Sequence, residues 1–435
     1  MLDLIIKNGQ CYINGNLEDK DIAIKDGKIL KIGEISEEAK EIYDAKKQIV
    51  LPGCIDTQTH FREPGSTDTE DLHSGSRAAV AGGITAVFEM PNTNPPTSNK
   101  KEFQRKLDLA KNRMYCNYAF YFGATADNVN ELAELKNLEG CCGIKLFAGS
   151  STGNLLVAEE KDIEKVFQNS SKVVAVHSED EEILNKNKKL INNGDVHSHP
   201  VWRSEECAIS STRRIVRIAE HYNKRAHVLH ITTKQEIDFL SQHKGNITFE
   251  ITPQHLTIYA PDCYDKLGTY AQMNPPIRDK SHYDRLWYAV KNNLNDTIGS
   301  DHAPHLKINK DKKYPNSPSG MPGVQTLMPV MLNHVNEGKL SLNQLISLVC
   351  ENPIKIFGIK NKGFIKVGYD ADFTIVDMNK KIIVKNENIE SKCGWSPFNG
   401  YEFKGTPTAT IISGKIKMSD GKILGDPEGT PLIFS

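Results

Sequence analysis

From about Leu51 to Gly358 short apolar runs alternate with amphipathic stretches, and this alternation restricts the possible folds more than any other feature of the chain. The succession VVAVHSED, EECAISSTRRIVRIAEHY, AHVLHITT, KQEIDFLSQH, ITFEITPQH reads as strand, helix, strand, helix, strand. Such a pattern implies parallel strands joined by crossover helices. Several runs end in a polar or ionisable side chain where the apolar pattern stops: His60, Lys145, His177, His230, His255 and Asp301. In a (β/α)8 barrel the C-terminal strand ends converge on the active site, so this recurrence is what that fold produces. An open doubly wound sheet also alternates, but neither G-x-G-x-x-G nor G-x-x-x-x-G-K-[ST] follows a strand here. The fold class predicted is therefore α/β, a (β/α)8 TIM-type barrel.

The two ends of the chain have a different grammar. The first fifty residues carry LIIKNG, DIAIKDG and KILKIGE, punctuated by the hairpin signals Asn8-Gly9, Asn14-Gly15 and Asp26-Gly27. The last seventy repeat it in ADFTIVDM, KIIVK, TATIISGKIKM and Asp420-Gly421. Similar ends around a dissimilar centre predict one small β-sandwich built from both termini, 1–50 and 359–435, around a barrel at 51–358.

Charge and cysteine usage narrow the partners. With 54 basic and 55 acidic residues spread along 435 positions, the net charge of -1 offers no footprint for nucleic acid or an anionic membrane. A small molecule is the expected partner. The start MLDLIIKNGQ has no basic segment followed by an apolar core and cleavage site, and no apolar run is long enough for a membrane span, so the expected location is the cytoplasm. The nine cysteines show no C-x-x-C spacing, which argues against a disulfide framework or a thiolate zinc site. Reduced, partly buried thiols are expected, including the adjacent Cys141 and Cys142.

Chemistry-bearing residues gather at the strand ends. In IDTQTHFREPG, Gln58 and His60 are two apart and point to the same side of a strand, which in a barrel is the interior. A lone buried histidine is ordinarily a satisfied core residue; a set of them at strand ends reads as ligands. Lys145 in CCGIKLFAGSS sits inside an otherwise buried run, where a free ammonium is expensive to desolvate. Either a neighbouring carboxylate pairs with it, or it is a neutral amine that has added CO2 to give a carbamate able to bridge two divalent metals. His177 and His230 close β-type runs and Asp301 opens DHAPH. Nitrogen and oxygen donors without thiolate suit Zn²⁺ or a similar ion.

Through VLPGCIDTQTHFREPG, AAVAGGITAVFEMPNTNPP, GIKLFAGSSTGNLL, AVHSED, MNPPIR, IGSDHAPH, SGMPGVQT and CGWSPF, the chain resembles the dihydroorotases of the amidohydrolase superfamily over essentially its whole length. The resemblance implies the barrel and sandwich, a carboxylated Lys145, metal ligation by His60, His177, His230 and Asp301, and substrate contacts from Arg62, Asn92, Asn274 and His305. It also implies a substrate pair, dihydroorotate and carbamoyl aspartate, and raises a homodimer and association with aspartate carbamoyltransferase as expectations. One departure matters. The family usually has His-x-His on the first strand, and the first position here is Gln58, whose neutral amide oxygen is a weaker zinc ligand than imidazole. One ion held by His177, His230 and the carbamate is therefore expected to be firm, and a second, shared by His60, Asp301 and the carbamate, weak or absent. Gln254 in TPQHL is a smaller departure, with His255 expected to orient residues behind the site.

Amide opening at neutral pH needs a strong nucleophile, which a divalent ion supplies by acidifying water. Asp301 is the expected proton acceptor and donor. Arg62 is the expected carboxylate clamp, a feature that separates dihydroorotate from simple hydantoins and dihydropyrimidines; the plainer reading of Arg62-Glu63 is an ion pair at the barrel mouth. The lysine-rich stretch LKINKDKKYPNSPS reads either as a lid or as a solvated loop. Two rivals remain: another cyclic amidohydrolase (hydantoinase, dihydropyrimidinase or allantoinase), and a non-catalytic homologue that serves as a structural partner.

Overall fold

A computed structural model describes residues 1–151 and 155–435; Thr152, Gly153 and Asn154 of the GIKLFAGSSTGNLL segment lie outside the described residues. Eight parallel strands follow one another in the barrel: Cys54–Thr59, Ile84–Glu89, Asn117–Gly123, Cys141–Phe147, Val174–His177, Ala226–Val228, Ile247–Ile251 and Thr297–Ile298. The ring closes through a bridge between Thr59 and His302, with the His60 amide donating to the His302 carbonyl at 2.8 Å. The first four strands are buried along their whole length. Burial on both faces is why they read as continuous apolar runs rather than as an alternation.

Side-chain caps start several of the helices that follow the strands. Asp71 and Ser74 form a capping box before Leu72–Ala81, Ser204 accepts from the Cys207 amide to begin Glu205–His221, and Thr233 with Glu236 does the same for Lys234–Leu240. Chain direction thus reverses at the rim, and the turns that carry polar residues gather on one side of the barrel. At Gly299 a β-carbon would stand 2.5 Å from the buried Glu250 carboxylate, so glycine lets this strand end pass close to that side chain without displacing it.

A nine-stranded sheet is built from both termini. Its seam is Ile49–Pro52, which pairs in parallel with Leu2–Ile13 on one side and antiparallel with Phe373–Ile383 on the other. Leu4, Ile6, Ile22 and Ile24 from the N-terminal part share one core with Phe373, Ile375, Ala409 and Ile411 from the C-terminal part. Asn14-Gly15 and Asp26-Gly27 make the tight turns their sequence predicts, with Asn14 and Asp26 at positive φ. Asn8-Gly9 does not: it lies inside the single strand Leu2–Ile13 as a bulge, where a β-carbon on Gly9 would meet Val50 Cγ2 at 2.6 Å. Close approach of the seam strand, not a chain reversal, requires this glycine.

All nine cysteines are free and buried. Among the described residues no helix is long and apolar enough to cross a membrane.

Candidate active site

The barrel brings Gln58, His60, Lys145, His177, His230, Asn274 and Asp301 to the lining of one cavity at the rim, together with Phe147, Ser319 and Gly320. Strand register sets the depth of each: Lys145 is level with Ala175, and His177 with Phe147, so the lysine lies below the histidine on the neighbouring strand. Where the strands stop, Arg62, His230 and Asp301 adopt left-handed backbone with φ of 60°, 40° and 44°. This conformation is uncommon for residues with side chains and persists where the surroundings impose it.

Lys145 is buried, and among the described residues no carboxylate pairs with it; its ammonium lies 4.5 Å from the centre of the Phe147 ring. Burial pushes its pKa down to about 7, with Asp301 and Glu250 opposing the shift. The alternative of an ion-paired structural lysine thus has no partner. Asp301 shows the mirror effect, its pKa raised by burial to about 7 with Lys145 opposing.

The imidazoles are neutral at pH 7 and oriented. Burial lowers the pKa of His60 and His230 well below the ordinary value, and that of His177 also falls, with burial outweighing the bond to Glu179. His177 donates from Nε2 to Glu179 at 2.8 Å, which leaves the Nδ1 lone pair facing His230 Nε2 at 3.1 Å. His60 Nδ1 lies 2.8 Å from the Asn92 Oδ1 acceptor and therefore carries the proton. Its Nε2 lone pair is turned toward Asp301 Oδ1, 3.3 Å away. Two electron-rich atoms at that separation need a cation or a proton between them. Gln58 adds a donor from Nε2 to the same oxygen at 3.0 Å, while its buried Oε1 has no hydrogen-bond partner among the described residues. These converging lone pairs, the orphaned amide oxygen and the absence of thiolate fit a divalent ion.

At the rim Arg62 is buried and donates from Nε to the Pro304 carbonyl at 3.2 Å, with Nη2 at 3.4 Å from His305. It does not pair with Glu63, which instead receives both outer nitrogens of Arg113 at 2.7 and 3.1 Å. Among the described residues no carboxylate lies within ion-pair distance of Arg62. Asn274 Oδ1 lies 3.1 Å from His199 Nε2. His255 bonds Thr252 and the Pro275 carbonyl, so it braces the turn that carries Asn274. Gln254 donates to the Ser300 carbonyl at 2.8 Å and braces the Asp301 strand end.

Sequence reasoning missed the residues that hold the ligand candidates. Glu179 is buried and held down to about 2, burial opposing and Arg203 and His177 prevailing, and Arg203 in turn donates to the Ser150 carbonyl at 2.6 Å. The pair Glu89 and Lys106 is fully buried behind the first two strands, with Glu89 accepting from the Phe61 amide and Lys106 donating to the Met90 carbonyl. The acidic character of AVHSED was visible; its arginine partner, 24 residues away, was not. A separate group, Glu205, Asp279 and His282, also brings ligand-type atoms together. There His282 Nδ1 accepts from the Lys234 amide and Nε2 faces Glu205 at 3.0 Å, so the neutral ring has no lone pair left for a metal.

The amidohydrolase family model matches residues 49–417. A dihydroorotase of Methanosarcina acetivorans is 34% identical over 98% of this chain and 94% of its own length, and a dihydroorotase of Pyrococcus furiosus is 34% identical over 99% and 96%. Among solved structures, an L-hydantoinase (dihydropyrimidinase) from Arthrobacter aurescens superposes with a TM-score of 0.95 at 29% identity, covering 100% of both chains.

Proposed function

This chain belongs to the amidohydrolase family and groups with its dihydroorotases, and from that premise we propose that it interconverts N-carbamoyl-L-aspartate and L-dihydroorotate in the cytoplasm, as a step of pyrimidine biosynthesis. The observation that carries the substrate assignment is Arg62, a buried guanidinium at the rim with, among the described residues, no carboxylate within ion-pair distance. A ligand carboxylate fills that vacancy through two parallel charge-assisted hydrogen bonds. His305 beside it, Asn274 in the cavity lining and Asn92 against His60 would complete the contacts to the clamp and ring.

His177, His230 and a carboxylated Lys145 would hold one zinc ion firmly; His60, Asp301 and the same carbamate would hold a second weakly, because Gln58 stands where an imidazole is usual. A bound divalent ion supplies acidification of water and polarisation of the ring carbonyl. The remaining work falls to the chain. Asp301 takes the proton of the attacking water and delivers it to the departing ring nitrogen, and reverses both transfers on closure. Asn92 fixes the tautomer of His60, and Glu179 that of His177, so that each presents a lone pair rather than N–H to the site.

The similarity to the L-hydantoinase structure supports a second reading, hydrolysis of hydantoins or dihydropyrimidines that lack a carboxylate. Purified protein loaded with zinc and bicarbonate and assayed against dihydroorotate, hydantoin, dihydrouracil and allantoin separates them. Turnover confined to dihydroorotate, with about one tightly held ion per chain, is the expected result; faster opening of hydantoin or dihydrouracil overturns the assignment.

A further inference from the structure

Of the lysines in the 306–319 segment, Lys307, Lys312 and Lys313 are exposed, but Lys310 is turned inward and fully buried. Among the described residues no carboxylate pairs with it. Three carbonyls take its protons: Pro318 at 2.8 Å, Gly320 at 3.2 Å and Gln272 at 3.3 Å. The Trp395 ring lies 5.8 Å away and donates from its own nitrogen to the His305 carbonyl at 2.8 Å. Burial pushes its pKa down to about 7, so keeping a proton there is costly, and the three carbonyls that take its hydrogens mark a place where two backbone segments, at 272 and at 318–320, are held together.

Each of those segments ends in the cavity wall. Gln272 lies two residues before Asn274, and its carbonyl also receives the Gly320 amide at 2.9 Å. Ser319 and Gly320 line the cavity, and the Ser319 carbonyl accepts from His305, the neighbour of Arg62. Gly320 is itself fixed: at φ 142°, a β-carbon there would meet the Ala303 carbonyl at 2.5 Å. We propose that Lys310 is a positioning residue whose ammonium straps the 306–319 segment across the barrel mouth and sets the Asn274 and Ser319–Gly320 walls, and with them His305, around the substrate. It acts on binding, not on the bonds being made, and never touches the reacting atoms. The segment's outer face carries the exposed Lys307, Lys312 and Lys313, and its inner face is tied down through Lys310.

The inference rests on the dihydroorotate reading for its kinetic arm only. In Lys310→Met the stem is kept and the three donors are lost. The expected result is a rise in KM for dihydroorotate of about tenfold, from misplaced walls, with kcat and metal content little changed. Tryptic cleavage after the exposed Lys312 and Lys313 should accelerate by a similar factor, whatever the substrate. Lys310→Gln, which keeps two donors, should recover part of both. A folded Lys310→Met protein with wild-type KM and wild-type cleavage overturns the proposal, as does a fall in kcat and metal content at unchanged KM. If Lys310→Met does not fold, Thr269→Val decides: it removes the hydroxyl that bonds the Lys310 carbonyl at 2.6 Å, and unchanged KM and cleavage there overturn it equally. Absence of dihydroorotate turnover in the wild type would sink the substrate assignment while leaving the cleavage arm to judge the strap.

Discussion

The side-chain amide of Gln58 donates to Asp301 Oδ1 across 3.0 Å, joining the first barrel strand to the rim of the last. An imidazole at this position would offer a nitrogen lone pair; the amide offers only a neutral oxygen, Oε1, while its Nε2 hydrogen is directed at an Asp301 oxygen that an ion would otherwise use. On the reading proposed above, Gln58 would be a weaker ligand than imidazole, and its Nε2 already engages Asp301.

Restoring the missing donor should restore the second ion. Gln58→His is expected to raise affinity for the second equivalent of zinc by about tenfold or more, moving metal content from near one toward two per chain. Equilibrium dialysis followed by elemental analysis reads this directly. A wild-type protein that already retains two ions through the same dialysis contradicts the weak-site argument.

Arg62 makes a separable prediction. Arg62→Met removes the charged donors but leaves the ion and Asp301 in place, so kcat/KM for dihydroorotate should fall by about 100-fold, the value of one or two charge-assisted hydrogen bonds. Opening of an uncharged dihydropyrimidine, however slow in the wild type, should change little. Steady-state assays on both substrates check it, and equal losses on the two would assign Arg62 to the scaffold.

Asp301→Asn keeps the shape of the side chain and its place beside His60 while removing the proton acceptor. Turnover should drop by at least about 10²-fold, with ligand binding by calorimetry still measurable. Near wild-type rates would end the assignment of Asp301 as the general base and acid.

The barrel was legible because its strands are buried on both faces, so a polar residue at the end of an apolar run such as His177 or Asp301 stands out against continuous hydrophobicity. The terminal sheet was legible from turn chemistry at Asn14-Gly15 and Asp26-Gly27, and misread at Asn8-Gly9, where glycine answers a steric demand from Val50 rather than a turn. Gathering of His60, Lys145, His177, His230 and Asp301 at one cavity follows from the barrel's geometry alone. What supports them was hidden. Arg203 and Glu179 meet only after a helix has folded back, and Lys310 sits in a stretch whose composition says solvent. Its inward turn depends on carbonyls, which every residue has and no sequence pattern distinguishes.

The junction between terminal sheet and barrel makes a prediction about acid. Lys362 lies between Asp370 at 2.9 Å and Asp372 at 2.5 Å, and Asp372 also accepts from Asn117 on a barrel strand at 3.0 Å and from the Ser413 amide at 2.7 Å. Burial works against the charge on Lys362, but the two carboxylates outweigh it and its pKa is raised. Burial likewise opposes ionisation of Asp370, yet Lys362 and Lys28 prevail and its pKa is lowered. Asp370 therefore contributes stability that is complete above its unfolded value near 3.8 and is lost as the pH falls through its lower folded value; Lys362 contributes below about 10.5 and fails only as the pH climbs through its higher folded value. Lys362→Met leaves two carboxylates facing each other with little between them, a loss of about 3 kcal/mol at pH 7. The gap between wild type and variant should stay level from about pH 5 to 9 and shrink below pH 4, where protonation of Asp370 removes both the attraction in one protein and the repulsion in the other. Denaturant unfolding at pH 3, 5, 7 and 9 measures the gap, and a difference that persists undiminished at pH 3 would show that the loss does not come from the pairing of Lys362 with Asp370.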